Sequence, residues 1–404
     1  MGAYKLLEVF GIELEYMIAD KLSLDVMPIA DKLFMAASGS FLDTVERGII
    51  DWSNELALHV VELKNPLPSK NVLDLCSAFS DEINTIDSYL DKFGAILLPS
   101  GVHPWMNPER ETKLWPHDGG EIYRTYDRLF GCKRHGWANL QSMHVNLPFG
   151  NESEFEQLHS AIRCILPLIP ALSSSSPIID GQVSGIHSNR LQHYLKNQKK
   201  IPSIMGLAIP ERISTKQEYG DKILQPMYAD IGEIDASGLL KNEWLNSRGA
   251  IARFDRNCIE IRLFDVQEAP FIDLAIAEFW ITTLRHIILG KFCDFNRVRS
   301  LETMRLREVL DATIRDGEMA QISYGELLNI FGLNNPCTAF QLLETILEKV
   351  SCCNENVLSV ITYILRHGTL STRILRRYRE SGNLVKTFLP LSECLRNGQF
   401  YEAY

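Results

Sequence analysis

The sequence predicts an α+β fold: an antiparallel sheet covered by helices on one side, followed by a helical C-terminal portion. Two patterns predict it. Segments in the first two-thirds alternate apolar and polar side chains with period two, whereas from Ile272 onward the apolar spacing is helical almost throughout. A third observation concerns which face of the sheet carries chemistry, because acids and metal-binding groups interrupt strands that are otherwise apolar.

The strand candidates, in order, are Leu6 to Ile18, Leu56 to Leu63, Ala95 to Pro99, Gln141 to Pro148 and Ile251 to Phe264. Between them, Val72 to Phe93 carries Leu73, Cys76, Phe79, Ile83, Ile86 and Leu90 on one helical stripe. Further helices are expected over Ser153 to Leu168 and from His187 to about Gln198, with a loop at Ser173 to Ser176. The later helices are Ile272 to Leu289, Leu301 to Asp311, Tyr324 to Phe331, Ala339 to Val350 and Val357 to His367. The division that follows is residues 1–290 as a catalytic domain and 291–404 as a helical C-terminal region, either separate or the back layer of the same domain.

Composition narrows the function. The chain of 404 residues is 46% hydrophobic and 23% charged, the balance of a soluble globular protein. A formal net charge of −10 argues against a nucleic-acid partner. The basic clusters Arg285 to Arg299 and Arg373 to Arg379 read as solvated helix faces. The longest apolar run, Ala269 to Gly290, contains Asp273, Glu278, Arg285 and His286, so no membrane span is expected. The N-terminus lacks a charged-then-apolar leader, and the nine cysteines are scattered without Cys-x-x-Cys spacing. Both features predict a cytoplasmic protein with reduced thiols, and the adjacent Cys352-Cys353 reads as a helix-terminal coincidence.

The chemistry-bearing residues begin with Gly11-Ile12-Glu13-Leu14-Glu15-Tyr16. Alternate strand residues share a face, which sets Glu13 and Glu15 about 7 Å apart. Carboxylates this close repel unless a cation lies between them, and Mg²⁺ or Mn²⁺ takes such oxygen ligands. Glu62 interrupts Leu56-Ala57-Leu58-His59-Val60-Val61-Glu62-Leu63; Glu55 lies seven residues earlier, on the opposite face of an unbroken strand. Ser142-Met143-His144-Val145-Asn146-Leu147 sets His144 and Asn146 on one face. Ile259-Glu260-Ile261-Arg262-Leu263 does the same for Glu260 and Arg262. Each has an ordinary explanation alone, a solvated strand or a same-strand ion pair. Together they suit phosphoryl transfer on a metal-bound nucleotide, with arginine clamping phosphate. No glycine-rich phosphate loop is present, so metals and arginines would have to hold the nucleotide.

These motifs, with Gly101-Val102-His103-Pro104, Gln141 to Val145 and Ser174 to Arg190, occur in an order that resembles the carboxylate–amine ligase branch of the glutamate–cysteine ligases. The resemblance spans about residues 6 to 270 and implies a curved, glutamine-synthetase-like catalytic sheet. It also implies that Glu15, Glu55 and Glu62 line one metal position, and Glu13, His144 and Glu260 a second. Arg262 and Arg253 would face nucleotide phosphates as catalytic residues, with Gln141 nearby, while His103 and Arg190 would bind the amino-acid substrate. The implied cofactors are ATP and Mg²⁺ (or Mn²⁺). The implied partner is a small amino-acid or carboxylate substrate, with a homodimer as candidate assembly. The implied reaction forms an amide through an acyl phosphate. The chain departs from the family pattern at Ser173 to Ser176 with Ile178-Ile179, and at Asp255-Arg256-Asn257-Cys258, so glutamate and cysteine are not assigned as substrates. The alternatives are a guanidino-kinase-like phosphotransferase and a non-catalytic metal-binding scaffold.

Overall fold

The computed structural model describes residues 4–350 and 354–402. The pair Cys352-Cys353 lies outside the described residues. Ten strands concern the site: β1 Gly11–Asp20, β2 Thr44–Val45, β3 Asp51–Asn54, β4 Val60–Lys64, β5 Ala95–Leu98, β6 Ser142–Pro148, β7 Ile178–Ile179, β8 Gln182–Val183, β9 Ala250–Arg253 and β10 Cys258–Asp265. Strands β7 and β8 form a separate hairpin. The others make one antiparallel sheet in the order β2-β3-β4-β1-β6-β10-β9, and β5 also pairs with β1. The long strand β1 serves β6 along Gly11–Leu14 and β5 along Met17–Asp20.

Alternation along β1 divides the molecule. Ile12, Leu14, Tyr16 and Ile18 are fully buried on the back face. There they share one core with Phe79, Ile83 and Ile86 of the helix Cys76–Leu90, with Phe155 and Leu158 of Glu152–Ile165, and with Ile272 and Ile276 of Pro270–Ile288. The front face carries Glu13 and Glu15, then changes character at Met17 and Ala19. Those two join a second core with Ile96 and Leu98 of β5 and with Leu370, Ile374, Phe388 and Leu391. These last four come from the helices Leu370–Ser381 and Leu384–Asn397. The α+β class and the antiparallel sheet are thus as the sequence predicts, and the C-terminal helices also cap one end of the front face. Among the described residues, no helix is long and apolar enough to cross a membrane.

Several expectations need correction. Leu56 to Leu63 is not one strand: residues 55–59 turn the chain between β3 and β4, where Leu58 N donates to Lys113 O and Trp115 N to Leu56 O. Ile251 to Phe264 is a hairpin that turns at residues 254–257, with Asn257 in the left-handed region at φ 51°. The expected helix from His187 shortens to Asn189–Tyr194, capped by the Ser188 hydroxyl accepting from Leu191 N. The serine run is a loop after the helix Pro170–Ser173, as expected, but a fully buried one. Arg373 is buried as well, paired with the buried Glu268, rather than on a solvated face.

Candidate active site

Strand register assembles the front-face cluster. Glu15 lies opposite Glu62, and Ser53 of β3 opposite Glu62 in turn. Glu13 lies between Lys64 on one side and His144 on the other. Glu260 faces Asn146 across the β6–β10 ladder. Each acid sits at an alternate position with aliphatic neighbours, so packing of the back face fixes the direction in which each carboxylate points.

The hydrogen bonds are directed among these groups. His144 Nδ1 lies 2.9 Å from Glu13 Oε2, and Asn146 Nδ2 donates to Glu13 Oε1 at 3.1 Å. Ser142 donates twice to Glu15 Oε2, from its backbone N–H at 2.8 Å and its hydroxyl at 2.9 Å. Glu62 Oε1 accepts from Ser53 Oγ at 2.6 Å and Lys64 Nζ at 2.9 Å. Arg262 Nε donates to Glu260 Oε1 at 2.6 Å, and Arg253 Nη1 to Glu260 Oε2 at 3.4 Å. His144 is also 3.8 Å from both Glu15 and Glu260.

Charge is distributed unevenly. Burial penalises the Glu13 carboxylate, but the His144 hydrogen bond and the charges of His144, Lys64 and Arg262 outweigh it and hold its pKa at about 2. Burial pushes Glu15 up, and the Glu62 charge adds to that against His144 and Ser142. Burial likewise raises Glu55 well above the carboxylate range, helped by the charges of Glu15 and Glu62. Burial opposes the charged form of His144, yet Glu13, Glu15 and Glu260 raise it to about 9. Arg262 is raised in the same way by Glu260 against its own burial. The cluster therefore crowds five acids, Glu13, Glu15, Glu55, Glu62 and Glu260, around Lys64, His144, Arg253 and Arg262, and burial with like charge drives Glu55 and Glu15 toward their neutral forms.

Glu55 reaches this neighbourhood because the chain reverses. It follows β3 two residues after Ser53, so it returns to the face that Glu62 shares with Ser53. Gln141, at the foot of β6, is buried with both side-chain polar atoms unpartnered, and its side chain hydrogen-bonds to none of the acids. His103 is not brought to the cluster. It is fully buried, with Nε2 2.7 Å from Leu24 O and Nδ1 accepting from Met106 N at 3.0 Å, so no ring nitrogen is left for a substrate. Burial lowers its pKa to about 4. Arg190 is also buried, with Nε donating to Asp265 Oδ1 at 2.6 Å, which leaves it committed to a protein carboxylate. Sequence reasoning missed Lys64, Ser53, Ser142 and Asp265. Lys64 was discoverable, two residues past Glu62 on the same strand face.

Two groups of three donors are close enough to hold a metal ion, each with ligand atoms within 4.8 Å of one another: Glu13, His144 and Glu260, and Glu15, Glu62 and His144. Among the described residues, Glu55 joins neither group. Carboxylate oxygens with one imidazole are a donor set that fits Mg²⁺ or Mn²⁺. Next to Glu13 and Lys64 a cavity of about 430 Å³ opens, lined also by Gly11, Asn146, Pro66 and Pro68. Above the other end, Tyr123 of the helix Gly120–Phe130 accepts from Asn54 Nδ2 at 3.3 Å. Cys258 lines the cavity with its Sγ 3.6 Å from Asn146 Oδ1, and burial raises its thiol to about 12.

Comparison with known proteins gives the family and the fold. Residues 9–388 match the family model described as glutamate-cysteine ligase family 2. A protein of Archaeoglobus fulgidus named only "Uncharacterized protein" is 32% identical, covering 97% of this chain and 100% of that one. A "Putative glutamate--cysteine ligase 2" of Bradyrhizobium diazoefficiens is 23% identical over 93% of this chain and 80% of its own. The fold is shared with the glutamate–cysteine ligase of Francisella tularensis, solved in complex with AMP, at a TM-score of 0.61 and 13% identity over 100% of this chain and 91% of that one. It is shared too with a bifunctional glutathione synthetase of Pasteurella multocida at a TM-score of 0.65 and 14% identity over 97% of this chain, which spans only 53% of that longer protein. With a family model that runs almost from end to end, this chain belongs to glutamate–cysteine ligase family 2.

Proposed function

We propose that the protein is an ATP-dependent carboxylate–amine ligase. The observation that carries this reading is the pair of donor groups sharing His144 on one sheet face, flanked by Arg262 and Arg253, in a member of a ligase family. Glu13, His144 and Glu260 would hold one divalent ion, and Glu15 and Glu62 another, with Glu55 beside them as an acid whose charged form a nearby cation would favour. Bound there, divalent ions would supply positive charge against the charge that develops during phosphoryl transfer. Arg262 would turn its guanidinium from Glu260 toward a phosphate oxygen, and Arg253 would follow from β9. The cavity beside Glu13 is the natural place for the nucleoside, since its walls combine prolines with Asn146 and Lys64. In the reaction the γ-phosphoryl group passes to a substrate carboxylate, which yields an acyl phosphate and ADP. An amine then attacks the acyl carbon, forms the amide and displaces phosphate.

No covalent enzyme intermediate is required, which agrees with the high pKa of Cys258. The test is an ADP-release screen of the full chain with ATP, Mg²⁺ or Mn²⁺, and pairs of carboxylates and amines, with products weighed by mass spectrometry. A condensed amide is expected. A phosphorylated product without condensation would replace this reading with a phosphotransferase, and no ADP release under any pair would leave a metal-binding scaffold.

A further inference from the structure

Arg262 does not sit in a regular ladder. Ile261 pairs with Val145 and Phe264 with Met143, so Arg262 and Leu263 together oppose the single residue His144. This is a β-bulge, which bends the strand and re-aims side chains. It also shifts parity. Glu260 and Arg262 face the front at even positions, yet Asp265 at an odd position pairs with Ser142 and returns to the same face.

The bulge interrupts the pairing with β6 only. Toward β9 the register Ile261–Ala250 continues by one step to Arg262 and Gly249, where the Arg262 N–H donates to Gly249 O at 2.9 Å. Gly249 N, however, donates to Ala208 O, so the Arg262 carbonyl is left to find a partner outside the ladder. It accepts from Arg190 Nη2 at 3.2 Å. Arg190 is itself anchored by Asp265, whose two oxygens accept from Arg190 Nε at 2.6 Å, Ser176 Oγ at 2.7 Å, Ser175 N at 3.0 Å and Ser188 Oγ at 3.1 Å. Asp265 is thus a buried carboxylate with every acceptor direction occupied. The approach is close enough that a Cβ on Gly101 would lie 2.8 Å from the Asp265 carboxyl. On the other side of the bulge, a Cβ on Gly249 would lie 2.7 Å from the Leu263 side chain.

We infer that Arg190 is a positioning residue: fixed by Asp265, it clamps the bulge carbonyl and so aims the Arg262 guanidinium at Glu260 and the acid cluster. This rests on the ligase reading for the role of Arg262, and it assigns the serine-rich segment before Arg190 to holding that clamp. A planar guanidinium is needed, because one arm serves Asp265 and another the carbonyl. Lysine could keep the charge pair but could not span both acceptors.

The experiment uses the full chain, Arg190→Lys, Arg262→Ala and the double variant, with the substrates found in the product screen. Arg190→Lys should lower the maximal rate of ADP release by about 100-fold with the amino-acid half-saturation unchanged, the scale expected when a reacting group is misplaced. The double variant should be no slower than Arg262→Ala alone, because one residue acts through the other. A raised half-saturation at an unchanged maximal rate would make Arg190 a substrate ligand, and losses that multiply would make it independent of Arg262; either result overturns the clamp. Gly249→Ala, which presses the bulge from the opposite side, should reproduce the rate loss, and a wild-type rate there overturns it too. Hydrogen exchange across residues 258–266 needs no turnover: it should quicken in Arg190→Lys, and unchanged protection refutes the clamp. A wild-type chain that releases no ADP defeats the ligase reading alone, and the exchange result then decides the clamp.

Discussion

Glu260 and Asp265 lie on the same strand and face, and both are buried, yet they are opposite kinds of carboxylate. Asp265 has one charged partner and three serine donors aimed at it, and no other acid bonds to the same groups. Glu260 also has cations, Arg262 and Arg253, but belongs to a patch with Glu13, Glu15, Glu55 and Glu62 in which acids outnumber the cations between them. A satisfied buried acid holds structure together, while acids crowded until burial and like charge raise Glu15 and Glu55 are acids whose charged forms a bound cation would favour. The contrast separates the residues that build the site from those that use it.

The largest expected effect tests the crowded side. Glu15→Gln should reduce ADP release by about 100- to 1000-fold, the usual loss when a group that stabilises developing charge is removed. The same variant should melt no lower than wild type in metal-free buffer, because it removes a charge that burial and Glu62 disfavour. Full turnover in Glu15→Gln would refute the metal reading, and a lowered melting point would erase the contrast with Asp265.

Asp265→Asn probes the satisfied side and should act in the opposite sense. It leaves the buried Arg190 without its counter-ion, a change that costs about 3–5 kcal/mol when one partner of a buried pair is lost. Urea unfolding should register that loss directly. A variant as stable as wild type would show that the serine donors, rather than charge pairing, hold this centre.

The same contrast explains what could be read without a structure. Glu13, Glu15, Glu62, His144 and Glu260 were legible because each breaks an apolar strand whose period-two pattern survives around it. The helices Cys76–Leu90 and Pro270–Ile288 were legible from long apolar stripes. What failed was local geometry that alternation does not encode. The turn at residues 55–59 is as apolar as a strand, so it hid the reversal that brings Glu55 to Glu62. The bulge at Arg262-Leu263 flips parity, so counting residues puts Asp265 on the wrong face. Histidine and arginine identity alone also misled at His103 and Arg190, since the partners that commit them, Leu24 and Asp265, lie 79 and 75 residues away.

The smallest effect concerns His103, and its sign follows from where the proton goes. Its pKa is lowered from 6.5 to about 4 in the folded chain by burial, and those of His59 and His159 fall to about 4 and about 3 for the same reason. Above pH 6.5 all three are neutral folded or unfolded and contribute no pH dependence. As pH falls below 6.5 the unfolded chain binds protons that the folded chain refuses, so stability declines until the folded pKa is reached. Each histidine contributes about 1.4 kcal/mol per pH unit to that slope. His103→Gln keeps an amide able to face Leu24 O and Met106 N but cannot titrate. Urea unfolding between pH 6.5 and 4 should therefore be shallower in pH by one proton, with the half-saturating amino-acid concentration unchanged. A raised half-saturation with the wild-type slope would return His103 to the substrate and remove it from the core.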